Sequence, residues 1–393
     1  MQENVKKKLI ILFNILMLIP IPNTILEPIQ PKLFDGIRLV STIIMTFYIA
    51  IVTLKEKKID KFDIVLILNA VIILIASALN KTITINNTFS TISVFIVAMY
   101  LKKSLKYSDN VMAALYYLYS SIIILNFITF FIRINVNYVN MFFIGGKNSV
   151  SITVIPAILI IHIYSILKYD SLTKWNKLLI VVSIVSLIIS KSTTAIIVAM
   201  ILIIYYAFYY ILHGKINIGV KGYTALYAFL FIMVVFVSQF IANTKVNAIV
   251  EDILGKNLTF TNRTQLWNET IDKFMDSPLI GLGKNNKVIY SFTNGKLDQS
   301  HNMILELLLT GGIVSLVAFI CAVYYATKNL DSKDEISKLI LFNIFSFFAI
   351  GLTESVTFNY QLWVILAISY SYGKFILGGE NDKESVKQIK QQN

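Results

Sequence analysis

Apolar residues occupy most of the chain in stretches close to twenty residues, separated by short polar connections, and no segment shows sustained strand-like alternation. Runs of that length suit an α-helix crossing the ~30 Å hydrocarbon core of a bilayer, whereas an outer-membrane barrel would alternate lipid-facing and interior positions. The pattern predicts an all-α, polytopic transmembrane helical bundle of about twelve spans. They fall at roughly 9–26, 33–54, 62–80, 83–101, 109–132, 150–168, 177–190, 192–212, 222–242, 303–327, 336–353 and 359–377. The fourth is polar at its start (Asn86, Asn87, Thr88, Ser90, Thr91), and the run Ser190-Lys191-Ser192-Thr193-Thr194 either separates the seventh and eighth spans or bends one element.

Charge then orients the bundle. Alternate connections carry 22 of the 35 lysines and arginines, among them Lys6, Lys7 and Lys8, the Lys55–Lys61 group, Lys102, Lys103 and Lys106, and Lys374. Short basic connections stay in the cytoplasm, so both termini are expected inside and residues 243–302 outside. The chain reads as one membrane domain, 1–393, with 243–302 an extracytoplasmic loop containing short helices and 378–393 a short cytoplasmic tail. Lys6-Lys7-Lys8 before an apolar run imitates a secretory leader, but prolines rather than a small-residue cleavage site follow, and the segment reads as a retained span.

With 56% hydrophobic residues, the net charge of +13 is explained by this sorting and needs no nucleic acid. Cys321, the sole cysteine, can form no intrachain disulfide. No internal repeat of the transporter kind is visible, and no histidine, cysteine or carboxylate grouping predicts a metal site. No nucleotide-binding glycine loop or other cofactor motif appears.

The long polar segment holds the candidate chemistry. Asn262 and Gln265 read as a capping box starting a helix at Arg263, on which Arg263, Trp267, Ile271 and Phe274 share one face. A cation in a first helical turn opposes the macrodipole; Arg263 either meets an anion there, together with free backbone N–H groups, or pairs with a bundle carboxylate such as Glu354. Farther on, Pro278-Leu279-Ile280-Gly281-Leu282-Gly283 forms a tight turn followed by Lys284, which reads either as a second cation for that anion or as an exposed loop lysine. His301, between Ser300 and Asn302 where the loop re-enters the membrane, is either a neutral general base or a residue that caps or bridges helices. Gly311-Gly312 reads as a site of close helix packing. Among charges near the outer ends of spans, Glu354 and the Asp35/Arg38 pair are candidates by default, and His162 reads as an interhelical hydrogen-bonding residue.

Arg263-x3-Trp267, Pro278-x2-Gly281-x-Gly283, then His301-Asn302 and Gly311-Gly312, late in a polytopic chain, resemble the extracytoplasmic loop of the O-antigen ligase/polymerase superfamily. The resemblance covers about 180–325 by motif. It implies a metal-independent, inverting glycosyltransferase without cofactor that moves a glycan from a polyprenyl diphosphate to an acceptor hydroxyl. Arg263 would hold the diphosphate and His301 activate the acceptor, with Trp267, Lys284, Asn302 and Glu354 lining the substrates. Thr193 stands where the family places a second arginine, and Lys191 is the cation nearest to it. The implied partners are donor, acceptor and bilayer, with a flippase and a chain-length regulator alongside. The Ile, Lys and Asn bias suggests an AT-rich genome and favours a capsular or cell-wall polysaccharide polymerase; a ligase acting on a lipid A core or protein, or a lipid-linked oligosaccharide flippase, is the alternative.

Overall fold

The chain's fold is described by a computed structural model for residues 2–22, 24–132, 134–136, 139–211, 217–237, 263–284 and 299–377. Each of the twelve expected spans corresponds to a helix. They run α1 (Gln2–Leu18), the short α2 (Leu26–Ile29), α3 (Pro31–Glu56), α4 (Lys61–Leu79), α5 (Ile85–Tyr107) and α6 (Asn110–Ile132). After a two-stranded antiparallel hairpin, β1 (Ile134–Val136) and β2 (Val139–Met141), come α7 (Lys147–Tyr169), α8 (Lys174–Ile189), α9 (Thr193–Ile211) and α10 (Val220–Ile232), which a π-helical turn continues to Val237. The loop helix α11 (Arg263–Phe274) precedes α12 (Met303–Thr327), α13 (Glu335–Gly351) and α14 (Tyr360–Ser371), the last again extended by a π turn to Leu377. Five of these, α3, α4, α6, α7 and α12, are by themselves long and apolar enough to cross a bilayer.

The bundle is sorted as a membrane solvent demands. α7 lies at its centre, with Val154 through Ile161 and His162 buried, and His162 Nδ1 meets the Tyr206 hydroxyl of α9 at 3.1 Å. On α3 and α4, by contrast, Leu39, Ile43, Phe47, Ile51, Ile64 and Ile75 stand exposed, an arrangement water would oppose and lipid tails accept.

The structure corrects one expectation, decides one that was open and adds one element. The first helix ends at Leu18 rather than near 26, because the prolines beyond it cannot continue a helix. The seventh and eighth spans are separate helices, joined by a turn in which Lys191 takes the left-handed conformation (φ 54°). The β hairpin was not foreseen; the turn that follows it, at Phe142–Gly145, is held where Ile144 N–H donates to Asn126 Oδ1 (3.1 Å) and Ile25 N–H to the Phe143 carbonyl (2.7 Å).

Contacts place the connections alternately at two ends. At one end, Lys102, 1% exposed, lies 2.5 Å from Asp63 and 3.0 Å from Asp60, while Lys103 and Lys106 reach Glu56 at 2.9 and 2.6 Å and Lys374 reaches Asp60 at 2.7 Å. Burying such charges is costly, and the network makes sense as mutual neutralisation where α3, α4, α5 and the chain's last helix converge. At the other end the loop re-enters.

That re-entry divides the reading of Gly311-Gly312: a Cβ on Gly311 would stand 3.3 Å from Ile73 of α4, as close helix packing expects, whereas Gly312 serves the loop. α12 breaks at Gly312 (φ 65°, ψ −167°), and the Pro278–Gly283 turn docks into the break, backbone against backbone. Leu282 and Gly283 N–H donate to the Leu309 and Thr310 carbonyls (2.7 and 3.0 Å), and Ile313 N–H returns the bond to Pro278 (2.9 Å). The loop supplies the partners that the broken helix loses, so irregular backbone is tolerated at this depth. A Cβ on Gly312 would stand 2.2 Å from the Leu279 oxygen, and one on Gly281 2.6 Å from Gly311 N, both at positive φ. Gly312→Ala and Gly281→Ala should each destabilise the protein by about 2–4 kcal/mol through overpacking and left-handed strain. Thermal unfolding in detergent checks this against Gly36→Ala, where nothing lies within 4 Å; equal midpoints would remove the docking from the fold's requirements.

Candidate functional site

Glu354, in the turn between α13 and α14, is the hub of the loop end. It is 7% exposed. Arg263 Nη2 lies 3.0 Å from its Oε1, His301 Nδ1 3.3 Å from Oε2, and Asn148 Nδ2 donates to Oε1 at 3.0 Å. Burial would raise the Glu354 pKa, but the His301 hydrogen bond and the Arg263 charge outweigh it and hold the carboxyl below its ordinary value. The group is thus a carboxylate with three donors, two of them from the polar loop and one from the start of α7.

Arg263 opens α11 and also donates through Nη1 to the Thr353 carbonyl. The pairing with Glu354 that the sequence left open is therefore present. It does not exhaust the guanidinium: five N–H donors are available, and these contacts use Nη1 and Nη2. Asn262, the expected cap, lies outside the described residues. The amphipathic face is as expected: Trp267 is fully buried with Val235 and Leu305, with Ile271 packed alongside. The indole fixes α11 on α12 and so sets where Arg263 stands.

His301 has a positive φ of 49°, unusual for a side chain with a Cβ. The helix cap is Asn302, whose Oδ1 accepts from Ile304 and Leu305 N–H (3.0 and 3.1 Å) and whose Nδ2 donates to the Leu352 carbonyl (3.0 Å). The neighbour therefore caps, and the imidazole turns to Glu354, a contact open to a general base and to a helix-bridging histidine alike. Since a carboxylate only accepts, Nδ1 carries the shared proton, and in a neutral imidazole the lone pair is then on Nε2.

Lys284 is not an exposed loop lysine. Its backbone N–H donates to Ser77 Oγ (3.0 Å), and its Nζ lies 2.8 Å from Ser90 Oγ and 4.7 Å from the centre of the Phe358 ring. Burial lowers its pKa to about 8, with the Glu306 charge opposing. An amine so placed is readily held charged by an incoming anion.

Lys191 stands exposed in the α8–α9 turn, and the residue beside it is the one that reaches the hub. Ser192 Oγ donates to Asn148 Oδ1 (2.9 Å), and Thr194 Oγ1 meets Thr353 Oγ1 at 3.1 Å. The Asp35/Arg38 pair is present at 3.3 Å, but Arg38 pairs more closely with Glu27 (2.8 Å), and among the described residues no ion pair joins it to Glu354. Asn148 went unnoticed in the sequence; its place just after Gly145-Gly146, where a span begins, was the available sign. Among the described residues no group of three or more His, Cys, Asp or Glu side chains gathers as a metal site would require.

Comparison with known proteins agrees with these motifs. Residues 178–320 match the family model for O-antigen ligase. A Rickettsia conorii protein named as a polysaccharide ligase is 27% identical over 135 residues, which are 30% of this chain and 31% of that protein. Both bear out the resemblance to the O-antigen ligase/polymerase superfamily, and the matched region contains Lys191, Arg263, Trp267, Lys284, His301 and Asn302.

Proposed function

We propose that this protein transfers an oligosaccharide from a polyprenyl diphosphate to a glycan acceptor hydroxyl at the outer face of the cytoplasmic membrane, polymerising repeat units of a capsular or cell-wall polysaccharide. The observation that carries the reading is the meeting of Arg263 and His301, from segments well apart in sequence, on the one carboxylate Glu354. An anion-binding fork and an oriented imidazole are the two groups such a transfer needs.

In this mechanism the acceptor hydroxyl gives its proton to His301 Nε2 as its oxygen attacks the anomeric carbon. The carbon–oxygen bond to the diphosphate breaks, and the electron pair leaves with the polyprenyl diphosphate. Attack opposite the leaving group inverts the anomeric centre. Glu354 holds the imidazole in the required tautomer and stabilises its protonated form. Arg263, with Lys284 as second cation, takes the charge growing on the leaving group, and no metal is required. Glu354 cancels the charge of Arg263 in the resting site, which gives a second cation something to do.

Transfer to a lipid A core or protein is the second reading, favoured by the ligase names of the matched family and relative. A flippase is disfavoured because the loop's charged groups gather at one end rather than at the midplane. Purified protein given a lipid-diphosphate oligosaccharide should release the polyprenyl diphosphate and lengthen the glycan. Movement of the lipid-linked glycan between leaflets with no new glycosidic bond would replace the transferase reading with the flippase one.

The sidedness has its own test. In a Cys321→Ala background, Lys296→Cys should react with an impermeant maleimide added to intact cells. Labelling that requires opened membranes would invert the orientation and remove the outer-face chemistry.

A further inference from the structure

Glu306, in the first turn of α12, is a carboxylate that the motif reading passed over. It is buried, and three donors converge on its Oε2: Ser300 N–H at 2.9 Å, Ser300 Oγ at 2.9 Å and Ser355 Oγ at 3.3 Å. The Ser300 hydroxyl is also 2.9 Å from the Asn302 carbonyl, and its single proton serves one acceptor at a time. Placing a carboxylate in such a position is costly, and capping does not demand it, since Asn302 already satisfies the first N–H groups of α12.

The identity of the donors supplies another reason. Ser300 immediately precedes His301, and Ser355 immediately follows Glu354. We infer that Glu306 is a positioning residue for the His301–Glu354 pair, tying the segment that carries the imidazole to the turn that carries its carboxylate partner. Both tethered neighbours are short side chains bound at 2.9 to 3.3 Å, so movement of either segment must stretch a charge-assisted bond. The left-handed backbone of His301, which ordinary side chains adopt only when their surroundings impose it, lies between the Ser300 tether and the Asn302 cap. Glu306 itself touches neither imidazole nor Glu354 in any hydrogen bond, and it acts through their neighbours.

The inference rests on the reading of His301 as the base, and the experiment separates the two. Glu306→Gln keeps an acceptor oxygen for Ser300 N–H but loses the charge that gathers three donors; Ser355→Ala removes one tether and leaves the start of α12 intact. In glycan extension with a lipid-diphosphate oligosaccharide, kcat should fall about ten- to hundred-fold in Glu306→Gln and about three- to ten-fold in Ser355→Ala. Donor KM should stay within about two-fold in both. Because Glu306 acts through Glu354, adding Glu306→Gln to Glu354→Gln should cost no more than about a further two-fold. Full rates in both single variants, or losses that multiply in the double variant, would overturn the positioning role. If Glu306→Gln fails to fold, Ser355→Ala against Ser355→Ala/Glu354→Gln decides by the same rule. Wild-type extension by His301→Asn sinks the base itself; a slow His301→Asn beside a full-rate Glu306→Gln sinks only the tether.

Discussion

His301→Ala should fold, bind a lipid-diphosphate donor and extend it about a hundred- to ten-thousand-fold more slowly than the natural protein. The imidazole is oriented from behind: Glu354 accepts from Nδ1, so in the proposed mechanism removing the ring removes the Nε2 that takes the acceptor's proton. Folding should survive, because the cap of α12 belongs to Asn302 and the neighbouring tethers to Ser300. His301→Asn is the sharper variant. Asparagine enters the left-handed region more easily than histidine, so the φ of 49° is no obstacle, and its amide can donate to Glu354, yet it has no basic nitrogen near neutral pH. The measurement is extension by purified variants, with donor binding followed separately. Robust extension by His301→Asn would leave the histidine a hydrogen-bonding residue and remove general-base catalysis from this site.

What the sequence made legible follows from which forces act along the chain and which act across it. The helices were readable because burial in lipid demands long apolar runs, and Leu18, Glu56 and Leu79 end helices near a proline or a basic connection. Arg263, His301 and Glu354 were readable as candidates because a charge or imidazole at the margin of an apolar run needs a reason. The Arg263–Glu354 pairing was one of two open readings and the His301–Glu354 contact was not foreseen, since no periodicity relates residues 263, 301 and 354. Asn148 and Glu306 illustrate the remainder. Each is one polar residue near the start of an otherwise ordinary span, and only the packing of α7, α12 and the α13–α14 turn gives it partners. Gly312 was seen, but its purpose was misread, because nothing local says that a loop some thirty residues upstream will dock there. The lysines at the opposite end teach the converse. Lys102 and Lys103 were counted toward orientation as part of a connection between spans, whereas both lie within α5, buried in ion pairs.

Arg263→Lys, which conserves charge, should nevertheless lose about thirty- to thousand-fold in extension rate, equivalent to about 2–4 kcal/mol of transition-state stabilisation. In the resting site the guanidinium spans two acceptors at once, the Thr353 carbonyl through Nη1 and Glu354 Oε1 through Nη2; in the proposed mechanism its remaining N–H groups meet a phosphate. A lysine ammonium is a compact point charge with three donors and cannot hold that fork in one plane. Its side chain would satisfy Glu354 alone, leaving the Thr353 carbonyl short of a donor and the diphosphate without a bidentate partner. If Arg263 were present only to neutralise Glu354, a lysine should do almost as well, because the charge is what neutralisation requires. The two roles therefore part on this single substitution, read as glycan extension alongside donor affinity. Loss in rate by a stable, folded Arg263→Lys supports the anion fork. Near-normal chain growth by Arg263→Lys would reduce Arg263 to a structural ion pair and leave Lys284, held beside Ser90 and over Phe358, as the cation to test next.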